Sequence, residues 1–401
     1  MIKIKNKVPN YVYDDSTLKF FVFDDGFCSL LDPKYVKWLK VNSDSFKEYF
    51  KTYKNGLVNY ESKLPFCKSC MASHVIKYGY TTRELVFKDG GKVKISVQRY
   101  KCKKCGKTFQ TDLSTLVPDN SNFTYRVREV VLADVAESLN STYGTVFNLG
   151  NYSDIEISHQ TVQRFINNVD KDLHTFKGDF SGYYVFDVEW VKINSVWFYF
   201  FLIIDALISR VIAYRLYDKE TKGNVKEFLC ESIPMHKRGY ITTDLDKKYG
   251  PVIEELGFKH QLCYFHFLKN CRKSIREYSN AYFDSENMIA NSYKELDDIL
   301  SVFDSEDYGA IEEYIGSLIY RLDDFTPVMQ KVLKVPLCYY YKKHLYCFKD
   351  ENVERTSNKI ENCFQKIMPR FKKKIYRTKE GFLSRVHLKI INWNQKRTKT
   401  Q

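Results

Sequence analysis

Residues 181–218 limit the possible folds more than any other stretch of this chain. They contain three runs rich in apolar and aromatic residues, separated by short polar breaks at residues 192–195 and 209–210. Such runs with short breaks predict a β-meander. One carboxylate, Asp187, follows three apolar residues inside the first run. Because a charge in an apolar strand is costly unless it binds a cation or a strong donor, Asp187 is the first candidate for a functional residue.

Two further carboxylates lie where distant parts of the chain could reach the same site. The apolar strand Tyr240–Thr243 leads directly into Asp244, and a helix predicted to begin at residue 356 or 357 carries Glu361 in its first turn. Mg²⁺ is usually bound by one or two protein carboxylates together with substrate phosphates. We therefore predict that Asp187, Asp244 and Glu361 form a catalytic site for Mg²⁺ or Mn²⁺.

Other carboxylates nearby are alternatives to these three. Asp246 lies two residues after Asp244 and competes with it for the same role. Glu189 shares a strand face with Asp187 and is a candidate to position it. Asp205 ends the second run, and we expect it to cap the following turn.

Length and charge limit the class of protein. With 401 residues the chain is long enough for two to four units, and its net charge of +14 favours a polyanionic partner. Residues 281–325 carry two basic and twelve acidic side chains, whereas residues 353–401 carry fourteen basic and three acidic ones. The longest apolar run has nine residues, well short of the ~20 of a spanning helix. The N-terminus also lacks the apolar core of a signal peptide. We expect a cytoplasmic, nucleoid-associated protein with no membrane partner.

Four of the eleven cysteines form two C-x-x-C pairs separated by 31 residues. They are Cys67, Cys70, Cys102 and Cys105. Four thiolates at this spacing suit a tetrahedral structural Zn²⁺, and the segment between the pairs has the alternation and glycine turn of a β-hairpin. A zinc ribbon is therefore predicted over residues 61–115, and its excess of basic side chains predicts contact with nucleic acid. The alternative, a redox dithiol, needs only one pair and lacks the expected βαβ context.

Residues 120–172 predict three short helices. The third begins at Ser158 and has an apolar face opposite a polar, amide-bearing one. This is the pattern of a recognition helix in a helix-turn-helix, in which Gln160, Gln163 and Arg164 would contact DNA. A plain three-helix linker fits the pattern equally well.

After the meander, the pattern continues as helix, strand, helix and strand, giving the order βββαβαβ. With these motifs the chain resembles DDE-type transposases of prokaryotic insertion sequences, in the Mutator-like group. The resemblance covers residues 65–395, and the zinc ribbon and helix-turn-helix upstream are similar to the same group. The matching motifs are FDVEW around Asp187, TTDLDKKY around Asp244, CYFH from Cys263 to His266, and RTSNKIENCFQKIMPRFKKK around Glu361.

The resemblance implies an α/β multidomain protein whose mixed sheet forms a ribonuclease H-like core. Residues 180–270 would form the first part of this core, residues 271–352 a helical insertion, and residues 353–395 the C-terminal helices with a basic tail. Residues 1–60 have no assigned role. The implied activity is metal-dependent DNA cleavage and strand transfer on transposon ends and target DNA by a homo-oligomer. In it, Asp187 bridges two ions while Asp244 and Glu361 each hold one.

Two other functions remain open. One is a metal-dependent nuclease without strand transfer, and the other is a zinc-ribbon DNA-binding regulator with an inactive core. Cys263 and His266 cannot close a zinc site alone, so we expect a packed cysteine and a histidine facing the active site. Basic side chains after His266 and Glu361 are predicted to bind DNA phosphates. They are Lys269, Arg272, Lys273, Arg370, Lys372, Lys373 and Lys374.

Overall fold

A computed structural model describes residues 48–52, 58–62, 65–88, 91–114, 116–138, 140–153, 155–169, 179–281, 286–303, 307–334 and 341–398. The chain divides into two compact units. The first comprises residues 1–171 with 387–392, and the second residues 172–386 with 393–401. The finer division predicted from the sequence stays a prediction, and most of residues 1–60 lie outside the described part.

A five-stranded sheet forms the base of the first unit. Its strands are β1 (Glu48–Thr52), β2 (Val58–Ser62), β3 (Val75–Phe87), β4 (Gly91–Cys102) and β5 (Thr108–Gln110). The predicted hairpin is present as the antiparallel pair β3–β4, with β2 parallel to β4 on its other side. Strand β2 therefore crosses residue 61, the predicted start of the zinc ribbon. The buried face of the sheet carries Leu85, Ile95 and Val97.

Three helices follow this sheet in the first unit. They are α1 (Tyr125–Glu137), α2 (Thr142–Ser153) and α3 (His159–Asn167). Ser158 caps α3 as its spacing predicted, because its side chain accepts a hydrogen bond from the Thr161 amide at 3.2 Å. The apolar face of α3 is buried through Val162, Phe165 and Ile166.

The second unit contains another five-stranded mixed sheet. Its strands are β6 (Tyr183–Ile193), β7 (Val196–Asp205), β8 (Arg210–Tyr217), β9 (Tyr240–Thr243) and β10 (Lys259–Leu262). The order across the sheet is β10-β9-β6-β7-β8. Strands β6, β7 and β8 form the predicted antiparallel meander, while β9 pairs parallel with both β6 and β10. Helices α4 (Lys222–Ser232) and α5 (Tyr249–Glu255) connect these strands.

Alternation along β6 decides which side chains face which layer. Tyr184 and Phe186 pack in a core with Phe228 of α4 and Ile253 of α5. Asp187 therefore lies on the opposite face of the sheet. That face is covered by the helix carrying Phe364, whose ring lies 6.3 Å from that of Phe200 on β7.

The remaining helices include those of the predicted insertion, which pack around a hydrophobic core of their own. They are α6 (Tyr264–Ala281), α7 (Glu286–Phe303), α8 (Tyr308–Tyr320), α9 (Pro327–Leu333), α10 (Tyr341–His344), α11 (Tyr346–Lys349), α12 (Asn358–Ile367) and α13 (Lys379–Thr398). Apolar side chains of these helices, including Leu296, Ile311 and Ile315, pack together with Phe267 of α6. In the described part of the chain, no helix combines the length and apolarity needed to cross a membrane.

Candidate active site and metal centre

The four cysteines of the first unit converge in space. Their sulfur atoms all lie within 4.8 Å of one another. The Cys67 and Cys105 sulfurs are 3.6 Å apart, as are those of Cys70 and Cys102. A tetrahedral site with metal–sulfur bonds of about 2.3 Å has sulfur atoms roughly 3.8 Å apart. The donor set and its spacing therefore fit a structural metal such as zinc.

Each C-x-x-C pair forms a tight turn that aims backbone N–H groups at sulfur. The residues that follow the pairs, Met71 and Gly106, have φ of 56° and 74°, so both turns end in the left-handed region. The Cys105 amide donates to the Cys102 sulfur at 3.5 Å, and this bond lowers the pKa of Cys102. Burial opposes ionisation of Cys67, but the amides of Cys70 and Ser69 outweigh it and lower its pKa to about 6. Thiolates are the form that binds zinc, and the turns favour that form at Cys67 and Cys102, whereas burial and the neighbouring cysteines raise the pKa of Cys70.

Asp187 lies on the central strand of the second sheet and is only partly exposed. Burial and the nearby charge of Asp244 raise its pKa to about 8. The Val188 amide donates to its Oδ1 at 2.8 Å and opposes this rise. Among the described residues this is the only hydrogen bond to the carboxylate. Asp187 thus lacks the compensation that a buried carboxylate normally has.

Asp244 follows β9, the strand parallel to and paired with β6. Its pKa is also raised, first by burial and then by the charges of Asp246 and Glu220, while the Asp246 amide and His266 oppose the rise. That amide donates to Asp244 Oδ1 at 3.0 Å and fixes the turn after the strand. The charge of Asp244 disfavours the ionised form of Asp187 on the neighbouring strand, and Asp246 and Glu220 do the same for Asp244, as in a site that receives a cation.

Glu361 reaches the same region from α12 through His266 and Ser357. His266 Nε2 lies 4.0 Å from Glu361 Oε1, and the buried Ser357 hydroxyl donates to that same oxygen at 2.8 Å. The hydrogen bond with Cys263, followed by the charges of Glu361 and Asp244, raises the pKa of His266. His266 therefore interacts electrostatically with all three candidate carboxylates.

The ligand oxygens of Asp187, Asp244 and Glu361 are not all within 4.8 Å of one another. In the described part of the chain, only the four cysteines bring three or more possible ligand atoms within 4.8 Å of each other. Oxygen ligands on opposite sides of an ion pair about 3.8 Å apart are separated by up to roughly 8 Å. Asp187, Asp244 and Glu361 are thus oxygen donors of the right kind, but in this arrangement they do not all reach a single ion.

The rival carboxylates have other partners. Asp205 is fully buried and accepts hydrogen bonds from Ser181 N at 2.8 Å, Ser181 Oγ at 2.7 Å, Leu207 N at 3.2 Å and Ile208 N at 3.4 Å, so it ties down the turn as expected. Asp246 accepts from the Lys248 amide and lies 3.2 Å from that residue's ammonium. Glu189 forms a salt bridge with Lys373. Its charge also contributes to the raised pKa of Asp187.

Cys263 belongs to a buried hydrogen-bonded group, as the packed-cysteine interpretation expects. Its sulfur lies 3.3 Å from Ser357 Oγ and also accepts from the Ser357 amide at 3.3 Å. Ser357 Oγ in turn lies 3.4 Å from His266 Nδ1. The sequence predicted only that a helix would begin at residue 356 or 357 with one of them as its cap, and the Ser357 side chain makes no capping bond to α12. Its position four residues before Glu361, on the same helix face, is the signal that could have revealed this role.

Sequence reasoning also missed Glu220, between β8 and α4. Its Oε1 accepts from the Tyr249 hydroxyl at 2.7 Å and lies 3.1 Å from the Lys248 ammonium. The charge of Glu220 raises the pKa of both Asp244 and Tyr249. No spacing or motif singles it out, because its neighbours come from another chain segment.

The residues predicted to contact DNA lie mostly on exposed surfaces of their own units. Gln160 and Arg164 are exposed on α3, whereas Gln163 is partly buried and donates to Asn167 Oδ1 at 2.9 Å. On α6 the exposed residues are Lys269, Arg272 and Lys273. In the segment after α12, Arg370 and Lys374 are exposed, and Lys372 and Lys373 are partly buried.

Comparison with known proteins finds a similar protein that belongs to an insertion element. The chain is 26% identical, over 351 residues covering 86% of each protein, to the "Insertion element ISM1 uncharacterized 48.3 kDa protein" of Methanobrevibacter smithii. No protein-family model matches the chain. A chain of the cryo-EM structure of the simian T-cell lymphotropic virus intasome in complex with PP2A regulatory subunit B56 gamma matches 40% of this chain and 66% of its own length, with 9% identity and a TM-score of 0.20. That score is too low to support a conclusion about the fold. The chain is therefore similar, over most of its length, to a protein of an insertion element.

Proposed function

We propose that this chain is a DDE-type transposase that cleaves DNA and transfers its strands, with Asp187, Asp244 and Glu361 as the catalytic carboxylates. The observation that carries the proposal is the pairing of Asp187 with Asp244. Both carboxylates are only partly exposed, both have a raised pKa, and the charge of Asp244 contributes to the rise at Asp187. Similarity to an insertion-element protein supports the same function.

The topology of the second unit supports a ribonuclease H-like core. An antiparallel three-stranded meander is extended by two strands that run parallel to its first strand, giving the order β10-β9-β6-β7-β8. In this order, β6 lies at the centre and carries the first carboxylate, and its neighbour β9 delivers the second. The third carboxylate comes from α12 on the same side of the sheet as Asp187.

The three carboxylates would hold Mg²⁺ or Mn²⁺ together with a DNA phosphate. Two such ions supply activation of a water or 3′ hydroxyl and stabilisation of the leaving oxygen in an in-line phosphodiester displacement. The protein's own part is to position the ligands. Ser357 and His266 orient Glu361, and the Asp246 amide fixes Asp244 at the end of its strand.

The first unit would provide DNA recognition. We assign the zinc ribbon to positioning and α3 to reading a groove, because Gln160 and Arg164 stand exposed on its polar face while the opposite face is buried. Transposon ends and target DNA would be the partners, and a homo-oligomer the working form.

Cleavage and strand transfer on the DNA flanking the coding sequence test this function. The intact chain is compared with Asp187→Asn, Asp244→Asn and Glu361→Gln in Mg²⁺ or Mn²⁺, with Asp246→Asn as the matched control. We expect each of the three variants to lose at least about a thousandfold in rate while DNA affinity is kept, and the control to stay active.

Each other outcome supports a different function. Cutting without joining of a 3′ end would favour a nuclease. Tight DNA binding with no cutting in any divalent metal would favour an inactive regulator. Loss of activity in Asp246→Asn but not in Asp244→Asn would move the second carboxylate by two residues.

A further inference from the structure

Large apolar side chains are exposed around the tip of the β6–β7 hairpin and on the chain segment paired with it. Phe371 and Ile375 are 63% and 55% exposed. At the hairpin, Trp190, Val196 and Trp197 are exposed as well. Exposed apolar groups gathered in one region usually mark a contact surface. The active-site chemistry proposed above does not require this one.

The segment that carries Phe371 and Ile375 is hydrogen-bonded to β6, the strand that carries Asp187. The Lys192 amide donates to the Lys373 carbonyl at 2.7 Å, and the Asn194 amide donates to the Tyr376 carbonyl at 3.0 Å. Lys373 also forms a salt bridge with Glu189, two residues beyond Asp187. The segment therefore holds its position relative to the strand that carries Asp187.

Positive charge surrounds the two apolar side chains. The sequence from residue 362 to residue 379 contains seven basic and no acidic residues. Arg370 and Lys374 are exposed on either side of Phe371. Burial and the charge of Arg385 lower the pKa of Lys372, so the cations already repel one another. A polyanion would relieve this repulsion.

We propose that Phe371 and Ile375 insert against unstacked bases of bound DNA while the flanking cations hold its phosphates. This inference rests on the proposed function, because it takes DNA as the partner of the second unit. Apolar side chains that enter a base step partly unstack it, and they work beside cations that neutralise the backbone. A protein partner would not need so one-sided a charge, so DNA is the occupant that the surface favours.

The geometry separates this contact from the carboxylates. Lys192, which is bonded to the segment, lies five residues beyond Asp187 on β6, so the two are separated by about 17 Å at roughly 3.3 Å per residue. Local melting is therefore expected near, and not at, the position of cleavage.

Fluorescence anisotropy with two DNA probes tests the proposal. One probe is a fully paired duplex of about 30 base pairs, and the other is the same sequence with a central two-base mismatch whose bases are already partly unstacked. We expect the intact chain to bind the mismatched duplex about five- to tenfold more tightly. Phe371→Ala and Ile375→Ala should reduce this preference below about twofold while keeping the salt dependence of binding.

Tyr320→Ala is the matched control, because Tyr320 is 92% exposed in the acidic helical insertion. It should leave the preference unchanged. Circular dichroism and the unfolding temperature establish that each variant is folded.

Three outcomes would overturn the inference in distinguishable ways. Equal preference in Phe371→Ala and the intact chain refutes the contact with unstacked bases but leaves the proposed function standing. If Phe371→Ala keeps the preference for the mismatched duplex but has a lower molecular mass by light scattering than the intact chain, the surface binds a second copy of the chain instead. Failure of the intact chain to bind either duplex at low salt would remove both this inference and the proposed function.

Discussion

Replacing Asp187 by asparagine should stabilise the protein when no divalent metal is present. In the unfolded chain the pKa of this carboxyl is about 3.9, whereas in the fold burial and Asp244 raise it to about 8. The folded state therefore binds more protons between these values, and its stability falls as the pH rises from about 4 to about 8. Asparagine has nearly the same shape and stays neutral, so it avoids this loss.

The size of the stabilisation by Asp187→Asn follows from the shift in the pKa of Asp187. Three pH units above the unfolded pKa, ionisation favours the unfolded state by about 4 kcal/mol at pH 7. Even half of this difference would raise the unfolding temperature by about 4 to 8 °C for a unit of this size. The Val188 amide can donate to an asparagine oxygen as it does to Asp187 Oδ1, so the substitution removes charge without removing the hydrogen bond.

Thermal unfolding at pH 7.5 and pH 4.5, with and without added Mg²⁺, measures the prediction. Asp187→Asn should unfold at a higher temperature than the intact chain at pH 7.5 without Mg²⁺, and at nearly the same temperature at pH 4.5. Added Mg²⁺ should stabilise only the intact chain. Asp205→Asn is the contrast, since its carboxylate accepts four hydrogen bonds and its neutralisation should destabilise. A lower unfolding temperature for Asp187→Asn at pH 7.5 without metal would refute the reasoning.

Three further predictions concern the positioning of Glu361, the four-cysteine cluster and the basic side chains of α6. Ser357→Ala should lower the cleavage rate about tenfold with DNA affinity unchanged, because it removes the hydroxyl bonded to Glu361. Ser357→Thr should restore part of the rate. Equal rates in the intact chain and both variants would contradict this prediction. Cys105→Ser should reduce the bound zinc, measured by mass spectrometry of the metal, and lower the unfolding temperature, whereas the distant Cys230→Ser should do neither. Lys269→Gln should reduce the slope of DNA affinity against salt by about one with no change in stability, and an unchanged slope would exclude a phosphate contact there.

Much of the local structure follows from patterns within single elements. The apolar run around Asp187 predicted a strand, and Ser158 predicted the start of α3. The C-x-x-C pairs predicted a cluster that the structure brings together. These features depend on neighbours within a few residues or on a side-chain chemistry that few other groups can supply.

Contacts between distant segments could not be predicted in the same way. Ser357 meets Cys263 from 94 residues away, and nothing in either local pattern marks the pair. Glu220 is near Asp244 only because α4 and α5 pack on the same face of the sheet. Residues 387–392 belong to the first unit although they lie near the end of the chain, and strand β2 joins the sheet of the first unit by parallel pairing with β4.

Comparison of the hydrogen bonds to Asp187 and Asp205 indicates that the candidate site has a functional and not merely a structural role. Both carboxylates stand on paired strands of one sheet, Asp205 fully buried and Asp187 partly exposed. The fold surrounds Asp205 with four donors but, among the described residues, gives Asp187 a single amide and places another carboxylate beside it. A sheet that can satisfy one buried carboxylate so fully can satisfy another, so the cost at Asp187 is not forced by the fold. Such a cost persists where function needs it, and a pair of cations is the partner whose charge would remove it.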